Sequence, residues 1–232
     1  MPRVLIADDD PDIVAALKIY LSSEGYELLS AENGKQVLDI VKGKQVDLIL
    51  LDIMMPQMDG ISAIAKLREE NANMPIILLS AKSEDSDKLL GLNIGADDYI
   101  TKPFNPAEVV ARVRSQLRRY MRFGAQTFEE NNTALRLGSI VLDDLSKTVT
   151  VDDEPVSLTP MEYGILKLLM SHPGKVYSSR EIYREVWNDS PIANDGVVAV
   201  HIRHLREKIE IEPSDPRYLK VVWGQGYRMG ER

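Results

Sequence analysis

The sequence predicts an α/β fold, a doubly wound five-stranded parallel sheet of order 2-1-3-4-5, followed by a smaller unit of three helices and a closing hairpin. Three observations predict it. Short apolar strands alternate with amphipathic stretches five times within residues 1–123. The run Leu48-Ile49-Leu50-Leu51 is too continuously apolar for a strand with one wet face. Beyond residue 133 the pattern changes to short strands and then to helical spacing.

Taken in order, strands are expected at Val4–Ala7, Leu28–Ala31, Val46–Leu51, Ile76–Ser80 and Asp98–Thr101. Helix starts are marked between them. Asp10 precedes Pro11, and Asn33 precedes Gly34; Asn105-Pro106-Ala107-Glu108 offers an N-cap, a proline at the first helical position and a capping-box acid. Residues 124–132 are polar and aperiodic, the expected linker between a first domain at 1–123 and a second at 133–232. In the second, strands around Leu135–Leu142 and Thr148–Val151 precede helices opened by the capping boxes Thr159-Pro160-Met161-Glu162 and Ser178-Ser179-Arg180-Glu181. A hairpin closes the chain, Tyr218–Trp223 returning through Tyr227–Met229 around Gly224-Gln225-Gly226. Three helices with a terminal hairpin suggest a C-terminal winged helix-turn-helix.

Composition bounds the function. With 44 % hydrophobic and 28 % charged residues in 232, the chain reads as soluble and globular. No apolar run approaches the roughly 18 residues of a membrane span, so no membrane partner is expected. The first apolar stretch is short and closed by acids, so no secretory signal is expected and the cytoplasm is the expected compartment. The absence of cysteine excludes disulfides, thiolate metal sites and cysteine nucleophiles. There are 28 basic against 36 acidic residues, a net charge of −8, and neither half has a basic surplus; nucleic-acid binding therefore needs a local basic patch.

The chemistry concentrates at the strand ends. Asp8, Asp9 and Asp10 follow the first strand, and Asp52 ends the third. In a 2-1-3-4-5 sheet those strands are neighbours at the switch point, outside whose carboxyl ends ligands bind. Acids gathered there repel one another unless a cation sits among them, and an oxygen-only site suits Mg²⁺. Ser80 and Lys102 end the fourth and fifth strands on the same edge. Together they fit phosphoryl chemistry: Asp52 as a nucleophile forming an acyl phosphate, Lys102 as a point-charge clamp and the Ser80 hydroxyl as a donor. An alternative enzyme, a haloacid-dehalogenase-like phosphatase, needs a general acid two residues after the nucleophile, and that position is Met54. A vestigial, phosphorylation-independent site would have lost an acid or the lysine, and neither is missing.

The segments Asp8-Asp9-Asp10, Leu51-Asp52-Ile53-Met54-Met55-Pro56-Gln57-Met58-Asp59-Gly60, Leu79-Ser80-Ala81-Lys82 and Gly95-Ala96-Asp97-Asp98-Tyr99-Ile100-Thr101-Lys102-Pro103-Phe104 resemble the receiver domain of two-component response regulators. The resemblance implies that a histidine kinase phosphorylates Asp52. It implies that Asp9, Asp52 and the Met54 carbonyl bind Mg²⁺, with Asp8 assisting through water. Lys102 and Ser80 would engage the phosphoryl oxygens, and Lys102-Pro103 would be a cis peptide. Ser80 and Tyr99 would move together as a switch. The subfamily with a winged-helix output further implies a symmetric receiver dimer, pairing Lys88 with Glu108, Asp98 with Arg112 and Asp97 with Arg114.

On an ideal wheel of about 100° per residue, residues 195–210 divide into a core stripe, an opposite face and two flanks. Val198, Ile202, Leu205 and Ile209 form the core stripe; Gly196, Val200, Arg203, His204 and Glu207 lie opposite, with His201 and Arg206 on the flanks. That layout suits a major-groove helix: Arg203 or His204 at base edges, Val200 against a thymine methyl, His201 and Arg206 at phosphates. Val222-Trp223-Gly224-Gln225-Gly226-Tyr227-Arg228 is similar to the wing of the PhoB/OmpR-type output domain, which implies DNA contacts from Trp223, Tyr227 and Arg228. The Val-Trp-Gly wing is also similar to that of vancomycin-resistance-type regulators. Trp223 and His204 both stand where arginine is common. The resemblance implies a non-enzymatic transcription factor whose partners are double-stranded DNA, RNA polymerase, a histidine kinase and, when phosphorylated, a second copy of itself.

Overall fold

The computed structural model describes residues 1–70, 73–81, 91–124, 134–187 and 195–230. The chain divides into two compact units, Met1–Tyr120 and Met121–Arg232. Beyond Gly124, the expected linker lies outside the described residues.

The first unit carries β1 (Arg3–Ala7), α1 (Pro11–Ser22), β2 (Glu27–Ala31), α2 (Gly34–Gly43), β3 (Leu48–Asp52), α3 (Gly60–Glu69), β4 (Ile76–Ala81), β5 (Asp98–Lys102) and α4 (Pro106–Gly124). All strand pairs are parallel and the order is β2-β1-β3-β4-β5, as the sequence predicts. Every residue of β3 is buried, the pattern of a strand covered on both faces. Val4, Ile6, Leu48, Leu50, Ile77, Leu79 and Ile100 pack with Leu17 and Leu21 of α1 and Val109, Val113 and Leu117 of α4. Fully burying each such side chain contributes about 1.5–3 kcal/mol, so the central strands hold the site-bearing edge firmly.

Local chemistry sets the helix starts. The Asp10 carboxylate accepts from the Asp12 and Ile13 amides with Pro11 at the first helical position, and Asn33 and Asp59 cap α2 and α3 in the same way. Asn105 accepts from the Ala107 amide at the start of α4. Glu108 does not complete a capping box there: its carboxylate instead takes the Arg112 Nε at 3.0 Å, one turn along the helix. β3 starts at Leu48 rather than Val46, because Asp47 turns its carboxylate back to the Arg3 amide.

The second unit opens with an antiparallel sheet of β6 (Ala134–Leu137), β7 (Ile140–Asp143), β8 (Thr148–Val151) and β9 (Glu154–Pro155), in that order. The two-residue β9 was not expected. Its signal is Asp152-Asp153, both at positive φ (51° and 66°), a pair that suits a tight hairpin turn. Then come α5 (Pro160–Met170), α6 (Ser179–Trp187), α7 (Asp195–Ile209) and the hairpin β10 (Leu219–Val222) with β11 (Gly226–Met229). Both expected capping boxes form, at Thr159 with Glu162 and at Ser178 with Glu181. The stripe Val198, Ile202, Leu205 and Ile209 is buried with Ile165, Leu169, Trp187, Leu219 and Met229. No helix among the described residues is long and apolar enough to cross a membrane.

Candidate functional site

The parallel register of β1 with β3 places Ala7 beside Leu51, so the residues that follow, Asp8 and Asp52, emerge side by side. Carboxylate oxygens of Asp8, Asp9 and Asp52 all lie within 4.8 Å of one another. Asp8 and Asp52 are buried and Asp9 is exposed. From the end of β5, Lys102 inserts its Nζ between two of them, 2.7 Å from Asp8 Oδ2 and 2.7 Å from Asp52 Oδ1. The other Asp52 oxygen accepts from the Met54 amide at 3.2 Å. The Lys102-Pro103 bond is cis.

The loop from β3 to α3 folds tightly over this edge. Gln57 sits at φ 64°, and the Gly60 amide donates to the Ile53 carbonyl. A Cβ at Gly60 would lie 2.1 Å from the Asp52 carbonyl oxygen, so only glycine lets the chain return so closely. Sequence reasoning missed this residue; the Asp59-Gly60 pair at the helix start was its signal. Ser80, next to the Asp52 partner Leu79 in register, is buried, and its Oγ has no hydrogen-bond partner among the described residues.

Electrostatics sharpen the picture. Burial lifts the Asp52 carboxyl above its ordinary range; Lys102 opposes the rise and the neighbouring Asp8 adds to it. Burial works against the Lys102 ammonium, but its contacts with Asp52 and Asp8 outweigh that and hold its pKa above the ordinary lysine value. Two of the three clustered carboxylates thus share one ammonium. An oxygen-only donor set with surplus negative charge, beside an unpartnered buried hydroxyl, fits a hard divalent cation and a phosphoryl group.

The expected dimer face differs from expectation. Asp97 is fully buried, paired with Arg68 at 2.8 Å and accepting from the Ile76 amide, so in this structure its partners lie within its own chain. Gly95, two residues before it, has a positive φ and packs closely against the same Arg68, whose Nε donates to the Gly95 carbonyl at 2.9 Å. Asp98 and Arg112 do pair, at 2.9 Å, but within one chain, and Arg112 also holds Glu108. Arg114 reaches Glu24 of the same chain. Lys88 lies outside the described residues. Tyr99 is half-buried in β5.

In the second unit the helical wheel fails at two positions. Val200 is 7 % exposed and His201 is 2 % exposed, so neither faces outward as expected. The His201 ring packs on Trp187, 5.4 Å between centroids, which the wheel of one helix cannot reveal. Arg206 is also held, its Nε donating to the Leu219 carbonyl at 3.0 Å. Arg203 is exposed beside Glu207, and His204 is half-buried. On the wing, Trp223 and Arg228 are exposed and Tyr227 is half-buried.

Residues 4–114 match the response regulator receiver domain, and residues 153–229 match the C-terminal domain of transcriptional regulatory proteins. The chain is 38 % identical over 228 residues to the regulatory protein VanR of Enterococcus faecium, covering 98 % of each chain. It is also 38 % identical over 234 residues to the alkaline phosphatase synthesis transcriptional regulatory protein PhoP of Bacillus subtilis, covering 99 % of this chain and 97 % of that one. Among solved structures it resembles the response regulator DrrB, a Thermotoga maritima OmpR/PhoB homologue, with a TM-score of 0.51, 30 % identity and 99 % of each chain covered. A parallel sheet bearing an acidic rim, joined to a winged helix, defines a response regulator with a transcriptional output. This chain belongs to the OmpR/PhoB-type response regulators, which are not enzymes but regulate transcription through a DNA-binding domain.

Proposed function

We propose that Asp52 is the phosphoacceptor of a cytoplasmic histidine kinase pathway and that its phosphorylation controls DNA binding. The observation that carries the reading is the Lys102 ammonium held 2.7 Å from both Asp8 and Asp52, beside the unpartnered hydroxyl of Ser80. An Asp52 carboxylate oxygen attacks the phosphorus of a phosphohistidine; the phosphorus–nitrogen bond breaks, the imidazole leaves with its electron pair, and an acyl phosphate forms. Lys102 follows the transferred oxygens with its charge, and Ser80 donates the hydrogen bond its Oγ otherwise lacks. Asp9, Asp52 and the Met54 carbonyl would hold Mg²⁺, with Asp8 behind them through water; the cation supplies neutralisation of the phosphoryl charge.

Loss of the orphan state at Ser80 would free the half-buried Tyr99 to change position, biasing the β5–α4 face toward a symmetric dimer through Glu108, Arg112, Arg114, Asp98 and Lys88. Two output domains then engage DNA together, at raised effective concentration, and recruit RNA polymerase. Arg203 and His204 are the groove-facing candidates on α7. The test is mass spectrometry after incubation with Mg²⁺ and a small phosphodonor: wild type gains one phosphoryl group and Asp52→Asn gains none. An undiminished adduct on Asp52→Asn would sink the assignment.

A further inference from the structure

A glycine outside the acidic rim stands against the loop that completes it. Gly34 opens α2, where it has no positive φ, and within a helix glycine is a poorer residue than alanine. Asn33 already caps the helix, its side-chain oxygen accepting from the Gln36 amide at 3.0 Å. What Gly34 provides is space. A Cβ there would lie 2.8 Å from the Met58 carbonyl oxygen, 2.8 Å from Met58 Cγ and 3.1 Å from Ala63 Cβ. Across that gap the Gly34 amide donates to the Met58 carbonyl at 2.9 Å. A Cβ on Gly43, at the far end of the same helix, would meet nothing within 4 Å. Met58 belongs to the loop between β3 and α3, closed at its base by the Gly60 amide on the Ile53 carbonyl. Among the described residues, the Gly34 amide makes the one backbone hydrogen bond that reaches residues 54–58 from another element. The start of α2 is itself tied to the rim, because the Asp8 amide donates to the Ala31 carbonyl at 3.1 Å, just before Asn33. It therefore links the strand end that carries Asp8 to the loop that carries Met54, whose amide holds Asp52 Oδ2.

We propose that Gly34 is a positioning residue for the divalent cation: its amide and its missing side chain fix where the β3–α3 loop stands, and so where the Met54 carbonyl meets the ion. The inference rests on the reading of Asp9, Asp52 and the Met54 carbonyl as the holders of Mg²⁺. A loop carbonyl turns with the peptide that carries it, and Mg²⁺ demands near-octahedral geometry with oxygens at about 2.0–2.1 Å. Any side chain at position 34 must push Met58 away, and the short closed loop passes that displacement back to Met54. The carboxylates of Asp8 and Asp9 and the Lys102 ammonium come from other strands and stay where they are. Gly34 thus acts on the ion through the loop, without touching it.

The test is calorimetric titration of the full, unphosphorylated chain with Mg²⁺ alone, well below its melting temperature. Gly34→Ala should weaken binding by about 10–100-fold, although alanine suits a helix better, and Gly43→Ala should bind as wild type does. In the metal-free chain, NMR amide shifts of Met54, Met58 and Gly60 should move in Gly34→Ala and not in Gly43→Ala. The double variant Gly34→Ala/Met58→Ala removes the side-chain part of the crowding and keeps the carbonyl part. It should fold even where the single variant does not, and bind Mg²⁺ more weakly than Met58→Ala alone. Wild-type affinity in a folded Gly34→Ala, an equal loss in Gly43→Ala, or equal affinity of the double variant and Met58→Ala would overturn the proposal and leave Gly34 a packing residue of α2. Failure of wild type to take up Mg²⁺, or uptake that Asp9→Ala does not remove, would overturn the reading of the rim beneath it.

Discussion

At Ser80 a hydroxyl is buried without a hydrogen-bond partner among the described residues, an arrangement that costs free energy until a ligand arrives. Ser80→Ala should therefore stabilise the unphosphorylated chain, by up to about 1–3 kcal/mol, measured by denaturant titration, while shortening the lifetime of the phosphoryl group. A loss of stability instead would mean the hydroxyl already has a structural task. Arg68 is the contrasting residue. It holds the fully buried Asp97 and the Gly95 and Met74 carbonyls, so Arg68→Ala strands a charge and should cost about 3–5 kcal/mol in the same titration. The acids and Lys102 were legible in the sequence because strand ends converge by topology alone. The partner of Asp97 was not: Asp97 and its neighbour Asp98 are both buried, and only the tertiary structure gives Arg68 to one and Arg112 to the other.

At the scale of elements, a single-helix wheel found the buried stripe of α7 but misplaced Val200 and His201. A wheel knows one axis, whereas α7 is covered on a second side by Trp187 of α6. Strand order was legible because hydrophobic continuity is local to each strand; β9 was not, because two residues carry no period. The turn between β7 and β8 offers a pH test. Burial raises Asp144, but hydrogen bonds from Lys147, Lys167 and Tyr163 outweigh it and hold its carboxyl below the ordinary range. A depressed carboxylate contributes stability that is present above its unfolded pKa of about 4 and lost as the pH falls through the lower folded value. Melting of the second unit should accordingly soften below about pH 4, and Asp144→Asn should remove that part of the acid dependence; an unaltered pH profile would show the network to be incidental.

At the scale of the whole molecule, two units with separate cores carry a net charge of −8, and the surplus is locally useful at the acidic rim. Mg²⁺ at a hundredfold its dissociation constant should stabilise the first unit by about 2.7 kcal/mol, seen as a rise in its melting temperature that a chelator reverses. Asp9→Ala should abolish the rise, and a rise preserved in that variant would place the ion elsewhere. Arg112 shapes the remaining behaviour. Its guanidinium already satisfies two carboxylates of its own chain. A neighbouring copy presenting the same acids could only trade one set of partners for an equivalent one, so the exchange is close to thermoneutral. In the proposed dimer, association through that face would then be poised near balance, so that a slight displacement of β5 would be enough to tip it.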